Sequence, residues 1–207
     1  MTTNQKLSLA HTAPTPTLAT AVLDNWVTPS AAASALTKAA LVVFGSLLLA
    51  VSAQFEIPLY PVPVTGQTLV VLLIGMTYGP RLGGCTMAAY LFKGAVGLPV
   101  FAGGAGGMAI LLGPTGGYLF GFLLAAVAMG FLAERGMGRS VASTVIAMVI
   151  GNIVVYIAGG AWLANFIGFG KAFAVGVLPF LYGDVLKIVI AAGLMPFAWN
   201  ALKASQR

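Results

Sequence analysis

Charge is what this chain lacks most. Only 7% of its 207 residues are charged, ten basic and four acidic, against about 25% in an average soluble domain. So few charges cannot clothe a water-soluble body of this size, which argues against a soluble globular enzyme. With 59% apolar residues it is not a disordered chain either. The one cysteine, Cys85, lies in an apolar stretch, so neither an intrachain disulfide nor a cysteine-rich metal site can form. The one histidine, His11, sits in a polar N-terminal segment, so a histidine cluster is excluded as well. No nucleophile–base pair or metal set can be assembled, and neither an enzymatic activity nor a resident cofactor or metal is expected. The net charge of +6 gathers into no basic patch interleaved with aromatics, so nucleic acid is not an expected partner.

What is present is apolar sequence punctuated by proline and glycine. The expected fold is an all-α membrane protein, a bundle of six transmembrane helices in the lipid bilayer. Residues 1–34 are expected to form a polar, mobile tail, with a short interfacial helix near Val22 to Val27, and residues 35–207 a single transmembrane domain. The tail lacks the apolar core of a signal peptide. Residues 39–55, bounded by Lys38 and Glu56, make the first span, and 66–79 a short second one after Pro58, Pro61 and Pro63. The third covers 82–98 and contains Lys93. Forty uncharged residues, 94–133, are too long for one crossing and are divided by Pro99, the 103–107 glycine cluster and Gly113-Pro114. The remaining spans are 116–133, 141–163 and 178–199.

Six spans place both termini on one side. With that side inside, the inner segments hold Lys6, Lys38, Arg81, Arg135, Arg139, Lys203 and Arg207, and the outer loops hold Lys171 alone. The positive-inside rule therefore puts both termini in the cytoplasm, and the expected location of the chain is the cytoplasmic (inner) membrane.

Three charges then fall inside the bilayer. Lys93 lies five residues below the end of its span, roughly 7–8 Å deep at 1.5 Å per residue, with Asp184 at similar depth on the last span and Lys187 one turn deeper. Asp184 and Lys187 share a helix face, as do Tyr90 and Lys93. Intramembrane charges usually face the bundle interior and mark function, although an Asp184–Lys187 pair could merely lock its helix and Lys93 could snorkel outward. Two lysines and one aspartate suit a small monoanion that also offers N–H donors.

Other polar groups surround this pocket. Thr65 and Gln67 follow the proline-rich loop, where broken backbone at membrane depth is tolerated mainly if it lines a cavity. Asn152 and Tyr156 are four apart and face one way, and Trp162 stands near the end of their span. Each has a structural alternative, helix–helix glue for Asn152 and interfacial anchoring for Trp162. The run 104–109 fits a dinucleotide spacing but lacks the preceding strand, and 168–171 resembles a phosphate loop with Asn165 and Ala172 at the wrong positions. Neither is a nucleotide site. Residues 99–115 are instead expected to form a mobile outer loop able to cover a bound ligand.

Several separated motifs in order resemble the BioY family, the biotin-binding membrane subunit (S component) of energy-coupling-factor (ECF) vitamin transporters. They are Ala53-Gln54, Pro61-Val62-Pro63-Val64-Thr65-Gly66-Gln67-Thr68-Leu69, Tyr90-Leu91 with Gly97-Leu98-Pro99-Val100-Phe101, Gly113-Pro114-Thr115-Gly116-Gly117-Tyr118, and the stretch from Pro179 to Lys187. Where the family commonly shows proline in that last motif, this chain has Tyr182. The resemblance implies a six-helix bundle that captures biotin from outside, with Asp184 and Lys187 as polar contacts. It also implies a transmembrane coupling subunit and two ATP-binding subunits as partners, or self-association where these are missing. Helix one of such proteins meets the coupling subunit through small residues four apart, a spacing shown here by Ala35 and Ala39 and by Ser46 and Ala50. Internal bundle packing is the alternative for that stripe.

Two other functions compete. An ion- or proton-coupled secondary transporter of a small organic anion would titrate Asp184, but no inverted repeat is visible between 36–98 and 116–199. A membrane enzyme acting on lipid would need the catalytic groups that are missing.

Overall fold

The structure, a computed structural model, describes residues 15–26 and 30–205. Helix α1 spans Leu18–Trp26 and α2 Ala31–Gln54, followed by a two-stranded hairpin of β1 Glu56–Ile57 and β2 Val64–Thr65. Then come α3 Gln67–Ala95, a 3-10 turn at Ala102–Gly104, and the short α4 Met108–Leu112. The chain finishes with α5 Gly116–Glu134, α6 Val141–Ile167, α7 Phe169–Gly176 and α8 Leu178–Ala204. Among the described residues, five helical stretches are long and apolar enough to cross a membrane, with α7 and α8 counted as one. The protein is a mostly helical, multi-pass membrane protein.

Its surface supports this reading. Large apolar side chains on α2, such as Leu36, Phe44 and Val51, stand 73%, 62% and 56% exposed, which is tenable only where lipid tails replace water. With no hydrophobic drive between helices in lipid, close backbone approach must hold them, and small residues supply it. On α5, Gly117 and Gly121 lie against Trp162, Ala158 and Val155 of α6, and Gly130 lies against the Gly79–Pro80 peptide of α3.

Helix α3 is not straight. Gly79 has φ 82° and ψ 175°, inside what is otherwise helix, a region open in practice to glycine alone. Pro80 follows and restarts the helix, where its missing N–H is no loss. The chain reverses there. Gln67 Nε2 donates to Tyr90 Oη at 2.5 Å although the two are 23 residues apart, a separation of about 35 Å in straight helix. Gly83 returns beside Gly75, so that a Cβ on Gly83 would lie 3.2 Å from the Gly75 Cα.

The expected tail differs from what is observed over its described part. Ser30 caps α2, its hydroxyl accepting from Ala33 N at 3.1 Å, so the first long helix starts inside the stretch 1–34. Residues 15–17 are docked on the bundle: Thr15 Oγ1 donates to Glu134 O at 2.7 Å, Thr15 N donates to the same carbonyl at 2.8 Å, and Thr17 is 2% exposed against Gly79. The physical reason is that the carbonyls ending α5 need donors, and Thr15 provides them. Residues 1–14 and 27–29 of the expected tail lie outside the described residues.

Candidate functional site

The loops 55–66, 96–115 and 168–177 gather at one end of the bundle, while Arg81, Arg135, Arg139 and Lys203 lie at the other. A cavity of about 160 Å³ opens at the loop end, and its lining is mostly apolar, as is usual for small-ligand sites. One wall is apolar and largely aromatic, with Phe101, Tyr118, Phe122 and Phe180. Tyr118 and Phe180 stack at 5.9 Å and 14°, while Tyr156 meets Phe180 edge-on at 6.3 Å. The Tyr118 hydroxyl, buried among apolar groups, donates to Gly176 O at 2.7 Å and so ties the α7–α8 junction to the wall. The same lining carries a polar set, Thr65, Gln67, Thr68, Thr115 and Tyr156.

Behind this polar side sits an ion pair. Asp184 and Lys187, 4% and 9% exposed, face inward from successive turns of α8, with Nζ 3.2 Å from Oδ1. Each is tied to a cavity-lining residue: Tyr156 Oη donates to Asp184 Oδ2, and Lys187 Nζ donates to Thr68 Oγ1 at 3.4 Å. Two buried charges thus satisfy each other and reach the cavity through two hydroxyls, a geometry in which a ligand can exchange with either. No group of three His, Cys, Asp or Glu side chains that could hold a metal occurs among the described residues.

The other sequence-derived candidates divide. Thr65 and Gln67 line the cavity and touch each other, Thr65 Oγ1 lying 3.3 Å from Gln67 Oε1. Tyr90 is fully buried behind Gln67 and does not line the cavity. Lys93 turns away and donates to Ser46 Oγ at 2.7 Å, so it does not join Asp184 and Lys187. Asn152, 6% exposed, lies one turn from Tyr156 outside the lining set, with its Oδ1 unbonded. Trp162 Nε1 donates to Gly113 O at 2.9 Å and holds the loop before α5.

Of the small residues on α2, Ala35 and Ala39 are exposed, Ala50 is half-buried and Ser46 is fully buried. They share one face, which α3 covers from Gly45 onward, with Thr86 and Tyr78 against Gly45. Thr68, Tyr118 and Phe180 line the cavity without being among the sequence-derived candidates, although all three lie within the motifs. An aromatic in a membrane helix carries no sequence signal of which wall it faces.

Comparison with known proteins agrees with this geometry. A model of the BioY family matches residues 24–204. A probable biotin transporter BioY of Pyrococcus horikoshii is 43% identical over 144 residues, covering 70% of this chain and 85% of that protein. The biotin transporter BioY of Thermotoga maritima is 44% identical over 147 residues, with the same two coverages of 70% and 85%. That of Rhizobium etli is 40% identical over 163 residues, covering 74% and 84%. Among solved structures, the S-component for biotin from an ECF-type ABC transporter superposes with a TM-score of 0.70 at 26% identity, covering 80% of this chain and 92% of that one.

Proposed function

The chain belongs to the BioY family, and on that premise we propose that it captures biotin and serves its uptake as the S component of an ECF-type transporter. The observation that carries this is the pairing of an aromatic-walled cavity with the buried Asp184–Lys187 pair. Biotin has an apolar thioether ring and chain, one carboxylate, and a ureido group with two N–H donors and one carbonyl. The ring and chain match the wall of Tyr118, Phe122 and Phe180. We assign polar recognition to Asp184 and Lys187 together with Tyr156 and Thr68, which bind them, and to Thr65 and Gln67. The aspartate accepts an N–H and the lysine meets an acceptor oxygen.

The reversal at Gly79 divides α3 into two short crossings and raises the five candidate spans to six. Both termini are then cytoplasmic, because Arg81, Arg135, Arg139 and Lys203 share one end and Lys171 lies at the other. The cavity faces outward from the cytoplasmic (inner) membrane. Transport is completed by a transmembrane coupling subunit and ATP-binding subunits, or by self-association where these are missing. The exposed Ala35 and Ala39 on α2 offer the close approach that such a contact needs.

The test is calorimetric titration of biotin into the detergent-purified chain alone, with riboflavin and thiamine as controls and mass spectrometry of the denatured sample for vitamin already bound. Saturable one-to-one binding of biotin alone is expected. A folded sample that neither binds nor carries biotin overturns the reading.

A further inference from the structure

The segment from Val96 to Gly107 has little stiffness of its own, since Gly97, Gly103, Gly104 and Gly107 all hold positive φ (95°, 63°, 69° and 95°). Phe101 at its centre is nevertheless only 2% exposed. Its ring fills the notch left by the missing side chain of Gly94, where a methyl group would overlap the ring's far edge. The same ring stands edge-on to Tyr90, centroids 5.5 Å apart at 77°. Two side chains hold the backbone beside it: Tyr90 Oη donates to Val100 O at 2.9 Å, and Gln54 Nε2 donates to Phe101 O at 3.1 Å.

Tyr90 also sets the polarity of the cavity wall. Its single O–H is spent on the Val100 carbonyl, which can only accept, so the phenol oxygen is left as an acceptor. Gln67 must therefore present its NH₂ to Tyr90, as it does, and turn its carbonyl toward Thr65. Gln67 and Phe101 both line the cavity. With the segment seated, one face of the Gln67 amide is selected; with it lifted, the Tyr90 hydroxyl is free to donate and that selection is lost.

We propose that Phe101, its Gly94 socket and the Tyr90 hydroxyl form a latch that holds segment 97–107 over the cavity, orients the Gln67 amide and sets the rate of ligand release. Tyr90 and Gly94 are positioning residues in this scheme, acting through Val100, Phe101 and Gln67 and not by touching the ligand. The effect on release rests on biotin being the ligand; the latch itself does not.

The test uses the full chain in lipid nanodiscs, as wild type, Tyr90→Phe and Gly94→Ala. Tyr90→Phe keeps the ring and removes both hydroxyl bonds. Gly94→Ala leaves the helix sound, because alanine favours helix over glycine, and displaces only Phe101. Two quantities are read: dissociation of labelled biotin in an isotope chase, and amide hydrogen exchange of 97–107 without ligand. Each variant should release biotin roughly two- to tenfold faster, with association changed far less, and exchange at 97–107 should quicken in the ligand-free chain. Unchanged exchange in both variants overturns the latch, and faster exchange with unchanged release overturns its control of the ligand. If wild type binds no biotin, the functional reading fails and the ligand-free exchange alone decides the latch.

Discussion

Asp184 and Lys187 act as one unit, because each removes from the other the penalty of a lone charge in a poorly solvated interior. Asp184→Asn should weaken biotin binding by about 1.5–3 kcal/mol, the range for hydrogen bonds to charged groups, and Lys187→Met should do likewise. The double variant should lose less than the sum, since the partners' contributions are shared; calorimetry on the purified variants checks this, and strictly additive losses would assign them separate roles. Lys93 makes the contrasting case. Its ammonium is engaged by Ser46 away from the cavity, so Lys93→Met should leave biotin affinity at the wild-type value in the same titration. All three charges were legible in the sequence, because a charged residue in an apolar run stands out. Depth could be counted along each helix, but which way a side chain points around the bundle depends on neighbours far away in sequence. For Lys93 the sequence gives the depth but not the direction, which the bond to Ser46 turns toward α2.

At the scale of elements, the turn in α3 carries the largest demand on a single residue. Gly79 holds φ 82° and ψ 175°, with Thr17 close to where a Cβ would stand (3.1 Å). Gly79→Ala should cost about 1–3 kcal/mol of strain and lower the midpoint of thermal unfolding in detergent, followed by tryptophan fluorescence. Gly84→Ala tests the same helix where φ is ordinary and the nearest contact is equally close, 3.1 Å to Val127 Cγ2, so that the backbone strain is what differs, and should shift the midpoint much less. Proline and glycine punctuation made this reversal readable from the sequence as the gap between spans 66–79 and 82–98. The start of α2 was harder to read. Charges mark the ends of the expected spans and put the border at Lys38, whereas the helix runs from Ala31 with Lys38 exposed on its side. A lone lysine on an outward face does not stop a helix; the cap at Ser30 sets its beginning.

Across the whole molecule, the two ends are built differently. The loop end leaves a cavity, whereas the basic end is closed by residues 15–26, which link the Gly79 turn, the end of α5 and the loop before α6. Arg139 belongs to that closure, donating to Pro16 O at 3.0 Å while its guanidinium lies 4.6 Å above the Trp199 ring. The sequence points only to a short helix near Val22 to Val27 here, in a stretch 15–26 with three threonines and one proline, and not to its docking, which depends on carbonyls left free more than a hundred residues away. Removing residues 1–26 uncovers Gly79 and strips Thr15 from the α5 terminus and Pro16 from Arg139. At the lower end of 0.5–1.5 kcal/mol for each hydrogen bond, the loss is about 1–2 kcal/mol and should appear as a midpoint lower by a few degrees. Biotin affinity should not change, because the truncated segment lies at the opposite end from the cavity. A truncated chain with the wild-type midpoint would mean the closure is only contact without energy, and one with weakened binding would mean the two ends are coupled through the α3 reversal that joins them.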